Sequence, residues 1–223
     1  MKLEAIDVGL TASASDLVYE RLRKAIVEGQ LSEGEKLGQD QIARLFNTSR
    51  IPVREALSRL EHEGLVTVQR FKGAVVAALS ADEIKEIFEL RALLEGEIMR
   101  LAVPNMDKAT LERARQYCHE FATEAQAEKW GEINKNFHYT LYEAAKRPYH
   151  LQVIRSALDK VDRYLRAQLI LTDGMDRAKR DHQAIFDACA TGDAERAAAL
   201  TSTHILDASA ALVKFLAKQR GQN

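Results

Sequence analysis

No stretch of the 223 residues approaches about 18 consecutive apolar positions, which excludes a membrane-spanning helix. Met1 to Leu10 has neither the basic segment nor the apolar run of a secretory signal. Cysteine is nearly missing. Cys118 and Cys189 are the two present, in no metal-like spacing, and they fit small buried side chains in a reducing cytoplasm. An excess of charge is missing as well, since the net charge is −1 and gives no global sign of a nucleic-acid partner. There is no internal repeat, no low-complexity segment and no H-E-x-x-H motif, and no Glu lies three residues before a His, as a ferritin-like di-iron site requires.

What is present suits a globular protein of one large or two modest domains, with 46% hydrophobic and 29% charged residues. Charge is uneven locally. Residues 41–80 hold Arg44, Arg50, Arg54, Arg59, Arg70 and Lys72 against Glu55, Glu61 and Glu63, an excess of +3. A DNA-binding surface needs only such a local patch.

Periodicity divides the chain at residues 79–80 into an N-terminal part, 1–79, and a C-terminal part, 80–223. In the first, Ser15 is expected to cap a helix with Val18, Leu22, Ala25 and Ile26 on its apolar face, ending near Gly29. After a turn at Ser32-Glu33-Gly34, a short helix is expected over Gln39–Phe46. Asn47-Thr48-Ser49 breaks it, and Ser49 is placed to cap another helix running to about Glu63. Pro52 is tolerated in the first turn of that helix, and Val53, Ala56, Leu57 and Leu60 form its core stripe. Leu65–Gln69 and Ala74–Leu79 read as strands around a tip, Arg70-Phe71-Lys72-Gly73, where Gly73 can take a positive φ. At Ser80 a capping box with Glu83 opens a long helix. Breaks near Pro104-Asn105, Lys129, Arg147-Pro148, Thr172-Asp173-Gly174 and Thr191-Gly192-Asp193 leave six helices in the second part. The fold class expected is mainly α: a three-helix unit with a β-hairpin, then an all-α antiparallel six-helix bundle.

Two short helices joined by a three-residue break and followed by a hairpin give winged helix-turn-helix order. In that geometry the start of the second helix enters the major groove. Arg50 and Arg54, four residues apart, project from one face there, and Arg is the commonest bidentate reader of guanine. Thr48 and Ser49 suit phosphate contacts, and Arg70 and Lys72 at the wing tip suit the backbone or the minor groove. A solvated basic hairpin has the same spacing, so charge alone leaves both readings open. The run Thr48-Ser49-Arg50-Ile51-Pro52-Val53-Arg54-Glu55-Ala56-Leu57, then Leu60-Glu61-His62-Glu63-Gly64-Leu65-Val66, resembles the GntR family of bacterial regulators. The resemblance spans about Val18 to Val76. It implies that Arg50 and Arg54 contact DNA, with Arg70 and Gly73 in the wing. Ile51 replaces the usual Thr, and Asp40 stands where some members have a further DNA-contacting Arg.

The second part holds five of the six histidines. Asn134 and His138 are one helical turn apart, beside a stripe of Ile133, Phe137 and Leu141. His182 and His204 are 22 residues apart and symmetric about Asp193. If the turn there joins antiparallel helices, each lies roughly 16 Å from it at ~1.5 Å per residue, at the same level. Imidazoles converging in a bundle suit a metal, although a single His is more often a packed or exposed residue. His62, His119 and His150 have no partner at useful spacing. The run Asn134-x-x-Phe137-His138, then Asp181-His182-x-x-Ile185-x-x-Ala188, then Gly192-Asp193-x-x-x-Ala197 and His204, resembles the FCD effector domain of the same family, and six helices resemble its VanR-type branch.

That resemblance implies a divalent metal held by Asn134, His138, His182 and His204, with Zn as the leading choice and Ni or Mn as alternatives. It also implies that Arg91 points into a ligand cavity; its other reading is a surface pair with Glu95. Tyr164 and the arginines around it are further candidates for the cavity wall. The function expected is a cytoplasmic homodimeric repressor on a roughly palindromic double-stranded operator, controlled by a small organic acid bound near the metal. No membrane partner is expected. Two alternatives stand beside it. One is a helical metalloenzyme using the same histidines, against which three His and an amide do not match a facial triad. The other is a DNA binder whose helical half serves only dimerisation.

Overall fold

The computed structural model describes residues 13–69, 73–171 and 174–220, which fall into two compact units meeting at Ala78 and Leu79. The first unit runs α1 (Ala14–Val27), β1 (Lys36–Leu37), α2 (Gln39–Leu45), α3 (Arg50–His62), β2 (Val66–Gln69) and β3 (Gly73–Val76). Ser13, not Ser15, caps α1. Its hydroxyl accepts from the Asp16 amide while the Asp16 carboxylate accepts from the Ser13 amide, a reciprocal pair that Ser15 cannot make. Val18, Leu22 and Ile26 of α1 face Val53, Ala56, Leu57 and Leu60 of α3, all nearly inaccessible to solvent. The two helices are also pinned at their surface. The Arg59 guanidinium lies 3.8 Å over the Tyr19 ring and reaches Asp16, while the Tyr19 hydroxyl donates to Glu63.

The hairpin is shorter than the sequence suggested, and it has a third strand. β1 adds to the free edge of β3, giving the antiparallel order β1-β3-β2 with Leu37 opposite Ala74 and Val66 opposite Val76. A two-residue strand has no period to detect, so only the edge that receives it defines it. Gly73 opens β3 at φ 86°, where a Cβ would lie 2.5 Å from the Leu37 carbonyl oxygen. Both the angle and the close approach demand glycine.

The second unit contains α4 (Ala81–Ala102), α5 (Lys108–Thr123), α6 (Ala127–Tyr142), α7 (Pro148–Leu171), α8 (Gly174–Ala190) and α9 (Ala194–Arg220), with single 3-10 turns at Val103–Asn105 and Glu143–Ala145. Six α-helices among the described residues match the expected number. Ser80 and Glu83 form the capping box of α4, with bonds of 3.2 and 2.8 Å. The break expected at Lys129 falls earlier. Glu124 is extended and its carbonyl takes the Trp130 indole N–H at 2.9 Å, so α6 starts at Ala127 with Lys129 in its first turn. Phe88, Ile98 and Met99 of α4, Phe137, Leu141 and Tyr142 of α6 and Ile185 of α8 share one core. Both cysteines are free and buried, and burial pushes the Cys189 thiol up to about 12. No helix among the described residues is long and apolar enough to cross a membrane.

Candidate nucleic-acid interface and candidate metal centre

α2 ends at Leu45 with Phe46 as its C-cap, and Asn47 takes φ 48°, a left-handed turn that Asn tolerates. The Thr48 amide then returns to the Ala43 carbonyl at 2.9 Å, which swings the chain into α3. Ser49 occupies the N-cap position, but its hydroxyl makes no capping bond and is exposed. Because Val53, Ala56, Leu57 and Leu60 take the inner face, Arg50 and Arg54 emerge on the outer one, both exposed. Ile51 stands beside them, 59% exposed. A shallow groove at the turn is lined by Asp40, Arg44, Asn47, Thr48, Ser49 and Arg50. Asp40 is not merely a missing arginine: its carboxylate pairs with the Arg50 Nε across the helix-turn-helix. Nothing in the spacing of the sequence announced that pair. Arg70 and Lys72 lie outside the described residues.

In the second unit, α6 supplies His138, α8 His182 and α9 His204. Their ring centroids are 5.0 to 5.4 Å apart, and one donor nitrogen from each lies within 4.8 Å of the others. The Gly192-Asp193 turn does place His182 and His204 at one level. Each ring has a different environment. His138 Nδ1 is 3.2 Å from the Tyr142 hydroxyl, and His204 Nδ1 is 3.0 Å from Asp181 Oδ2. His182 is completely buried between Phe121 and Phe137, and neither of its nitrogens has a partner. Burial, then the neighbouring imidazoles, push the pKa values of His138 and His182 well below the ordinary value. Both are therefore neutral, with lone pairs available. The bond from His204 holds the Asp181 carboxyl below the usual carboxylate range.

These residues fit a cation. A buried polar group without a partner costs about 1–3 kcal/mol, and a metal on the His182 lone pair would supply one. Three converging imidazoles form a donor set of the type first-row divalent ions accept. Asn134 lines the same cavity as His138, His204, Arg91, Arg166 and Arg177. The free space there is about 50 Å³, enough for a few non-hydrogen atoms.

Arg91 is both things the sequence allowed, except that its pair is buried. Its Nε donates to Glu95 Oε1 at 2.7 Å with both side chains under a tenth exposed, and it still borders the cavity. Tyr164 does not line this cavity; its hydroxyl accepts from the Leu79 amide at 3.0 Å. Sequence reasoning had Glu95 only as a surface partner of Arg91 and gave Tyr142 and Asp181 no role in the site. Tyr142 stands one helical turn from His138, a spacing that could have flagged it. Asp181 reaches His204 across two helices, and no local spacing reports that.

A winged helix-turn-helix followed in the chain by an all-helical unit defines a class of DNA-binding regulators, and the comparisons agree. Residues 14–76 match the bacterial regulatory proteins of the gntR family, and residues 86–207 match the FCD domain. The chain is similar to the HTH-type transcriptional regulator BphR of Paraburkholderia xenovorans, 26% identical over 209 residues that cover 90% of this chain and 85% of that protein. It is also similar to the HTH-type transcriptional repressor GlaR of Escherichia coli, 29% identical over 201 residues covering 84% and 90%. A solved GntR-family regulator from Pseudomonas syringae pv. tomato is 31% identical, with a TM-score of 0.61 over 94% of this chain and 89% of that one. Escherichia coli McbR/YncC, at 19% identity, shares the fold with a TM-score of 0.81 over 92% and 100%. The chain belongs to the GntR family and carries an FCD domain. It is a DNA-binding transcriptional regulator and not an enzyme.

Proposed function

We propose that this regulator is a homodimeric repressor whose operator affinity is set by a small organic acid bound beside a divalent cation. In this reading residues 1–79 bind DNA, and residues 80–223 sense the ligand and dimerise. The observation that carries it is His182, buried with both nitrogens unpartnered and facing two further imidazoles at the wall of a cavity bordered by Arg91. Similarity to a repressor supports the direction of control.

Asn134, His138, His182 and His204 would hold the ion, with Zn the first choice and Ni or Mn next. When bound, the cation supplies a Lewis-acidic centre for a carboxylate oxygen. Arg91 keeps its terminal nitrogens for a second, charge-assisted contact with the acid, because only its Nε is taken by Glu95. Imidazole and amide donors bring no charge of their own to the ion, which favours an anionic ligand. The acid alters operator affinity only as far as it binds one conformational state better than another. On DNA, Arg54 reads base edges and Arg50 serves both base edges and phosphate, while Thr48, Ser49 and the wing residues Arg70, Lys72 and Gly73 serve the backbone. One recognition helix reads few base pairs, so two symmetric half-sites, roughly palindromic, supply useful specificity.

Elemental analysis of wild type and His182→Ala after incubation with Zn, Ni and Mn tests the centre, and calorimetry with acetate and longer acids tests the ligand. Stoichiometric metal lost in His182→Ala, with acid binding weakened in Arg91→Ala, is the result expected. A metal-free wild type removes the cation from the reading. Acid affinity equal in wild type, His182→Ala and Arg91→Ala removes the ligand site and leaves a module for dimerisation alone.

A further inference from the structure

We infer that Tyr142 and Glu95 are positioning residues that fix the His138 ring for a cation and couple that cation to an acid at Arg91. The inference rests on the reading of the site given above, and it adds residues to which that reading gives no role.

Four side chains of α4 and α6 form one continuous chain of bonds. Arg91 Nε donates to Glu95 Oε1 at 2.7 Å, and the Tyr142 hydroxyl donates to Glu95 Oε2 at 2.8 Å. His138 Nδ1 lies 3.2 Å from the same hydroxyl. All four residues are buried. Proton counting then sets the direction. A phenol has one proton, and the Glu95 carboxylate, which has none to give, takes it. The Tyr142 oxygen can therefore only accept, so His138 Nδ1 carries the ring proton and Nε2 carries the lone pair. Asp181 imposes the same tautomer on His204, since a carboxylate at Nδ1 also only accepts. Two of the three imidazoles are thus preset to offer Nε2.

The same chain joins the two ligands. An acid on the terminal nitrogens of Arg91 draws the guanidinium charge partly away from Glu95. The carboxylate then pulls harder on the Tyr142 proton, which makes the Tyr142 oxygen a better acceptor from His138 and Nε2 a stronger donor to the metal. Bonds in series strengthen one another in this way in a dry interior. Linkage makes the effect reciprocal: cation raises acid affinity by the factor by which acid raises cation affinity.

The test uses full-length protein with 15N-labelled histidine. Long-range proton–nitrogen spectra of the metal-free wild type should show His138 protonated at Nδ1, and Tyr142→Phe should lose that preference. An Nε2-protonated His138 in the wild type overturns the inference without any variant being made. Zinc titration should show an affinity loss of about ten- to a hundred-fold in Tyr142→Phe, typical of a removed outer-shell partner. Calorimetry with acetate, with and without zinc, should show mutual enhancement in wild type that disappears in Glu95→Gln while each ligand alone still binds. Equal enhancement in wild type and Glu95→Gln overturns the coupling. A wild type with the expected tautomer that binds no zinc defeats the metal reading and the coupling, and leaves only the tautomer assignment standing.

Discussion

Asp40 and Arg50 show how one side chain on α2 can govern another on α3. An exposed ion pair of this type adds little to stability, about 0–1 kcal/mol, so its effect lies elsewhere. Asp40 occupies the Nε of Arg50, offsets its charge against phosphate and leaves the outer edge of the guanidinium free. Asp40→Ala should therefore raise affinity for random DNA and steepen the salt dependence of log K by about one further phosphate contact. Fluorescence anisotropy across a salt series reads both quantities, and an unchanged slope would mean that Arg50 does not respond to its partner. Arg54 has no ion pair among the described residues and is exposed. Arg54→Ala should weaken operator binding by about 1–3 kcal/mol and random DNA far less, as expected for a residue that reads a base edge. Equal losses on both DNAs would assign it to the phosphates.

Among the elements, α4 and α9 approach tightly where Gly96 meets Ser202. A Cβ on Gly96 would stand 2.3 Å from the Ser202 hydroxyl, which itself donates to the Ala92 carbonyl at 2.8 Å, and 3.4 Å from the Ala198 carbonyl. Alanine improves helix propensity by about 1 kcal/mol, but overpacking at a tight contact costs about 1–3 kcal/mol and the displaced hydroxyl loses its bond. Gly96→Ala should therefore destabilise by about 1–2 kcal/mol net, read as a lower denaturation midpoint, with much of the loss recovered when Ser202→Ala is added. A Gly96→Ala protein as stable as wild type would show that the helices separate at little cost. The apolar series along α4 (Ile84, Ile87, Phe88, Leu90, Leu94 and Ile98) includes the fully buried Ile84, Phe88 and Ile98, yet Leu90 of the same series is 44% exposed. A hydropathy pattern gives a face, and the packed neighbours decide how much of that face is covered.

For the whole molecule, metal removal is the simplest probe of how the helical unit is held together. A cation that binds only the folded state stabilises it by RT ln(1 + [L]/Kd), about 2.7 kcal/mol at a hundredfold excess over Kd. Chelation should lower the melting temperature of wild type, and zinc should restore it. In His182→Ala neither treatment should move it, because that ring bridges α8 to the donors of α6 and α9. A wild-type melting temperature insensitive to both would count against a cation in the bundle.

The sequence alone determined the α-helices, the β-hairpin and their order, though not the two-residue β1. Helix caps, the Asn47-Thr48-Ser49 break, the Gly73 turn and the apolar stripes are all encoded within a few residues, where backbone sterics and local hydrogen bonds act. It also brought His182 and His204 together, because equal arms on either side of a tight turn place two positions at one height. What it did not contain is every contact between residues with no fixed spacing. The Asp40–Arg50 pair, the bond from Asp181 to His204 and the isolation of both His182 nitrogens depend on which helix lies beside which. Glu95, one turn from Arg91, reads as a surface partner until packing buries it. Only then does its carboxylate need two donors, and Tyr142 brings the second and links it to His138.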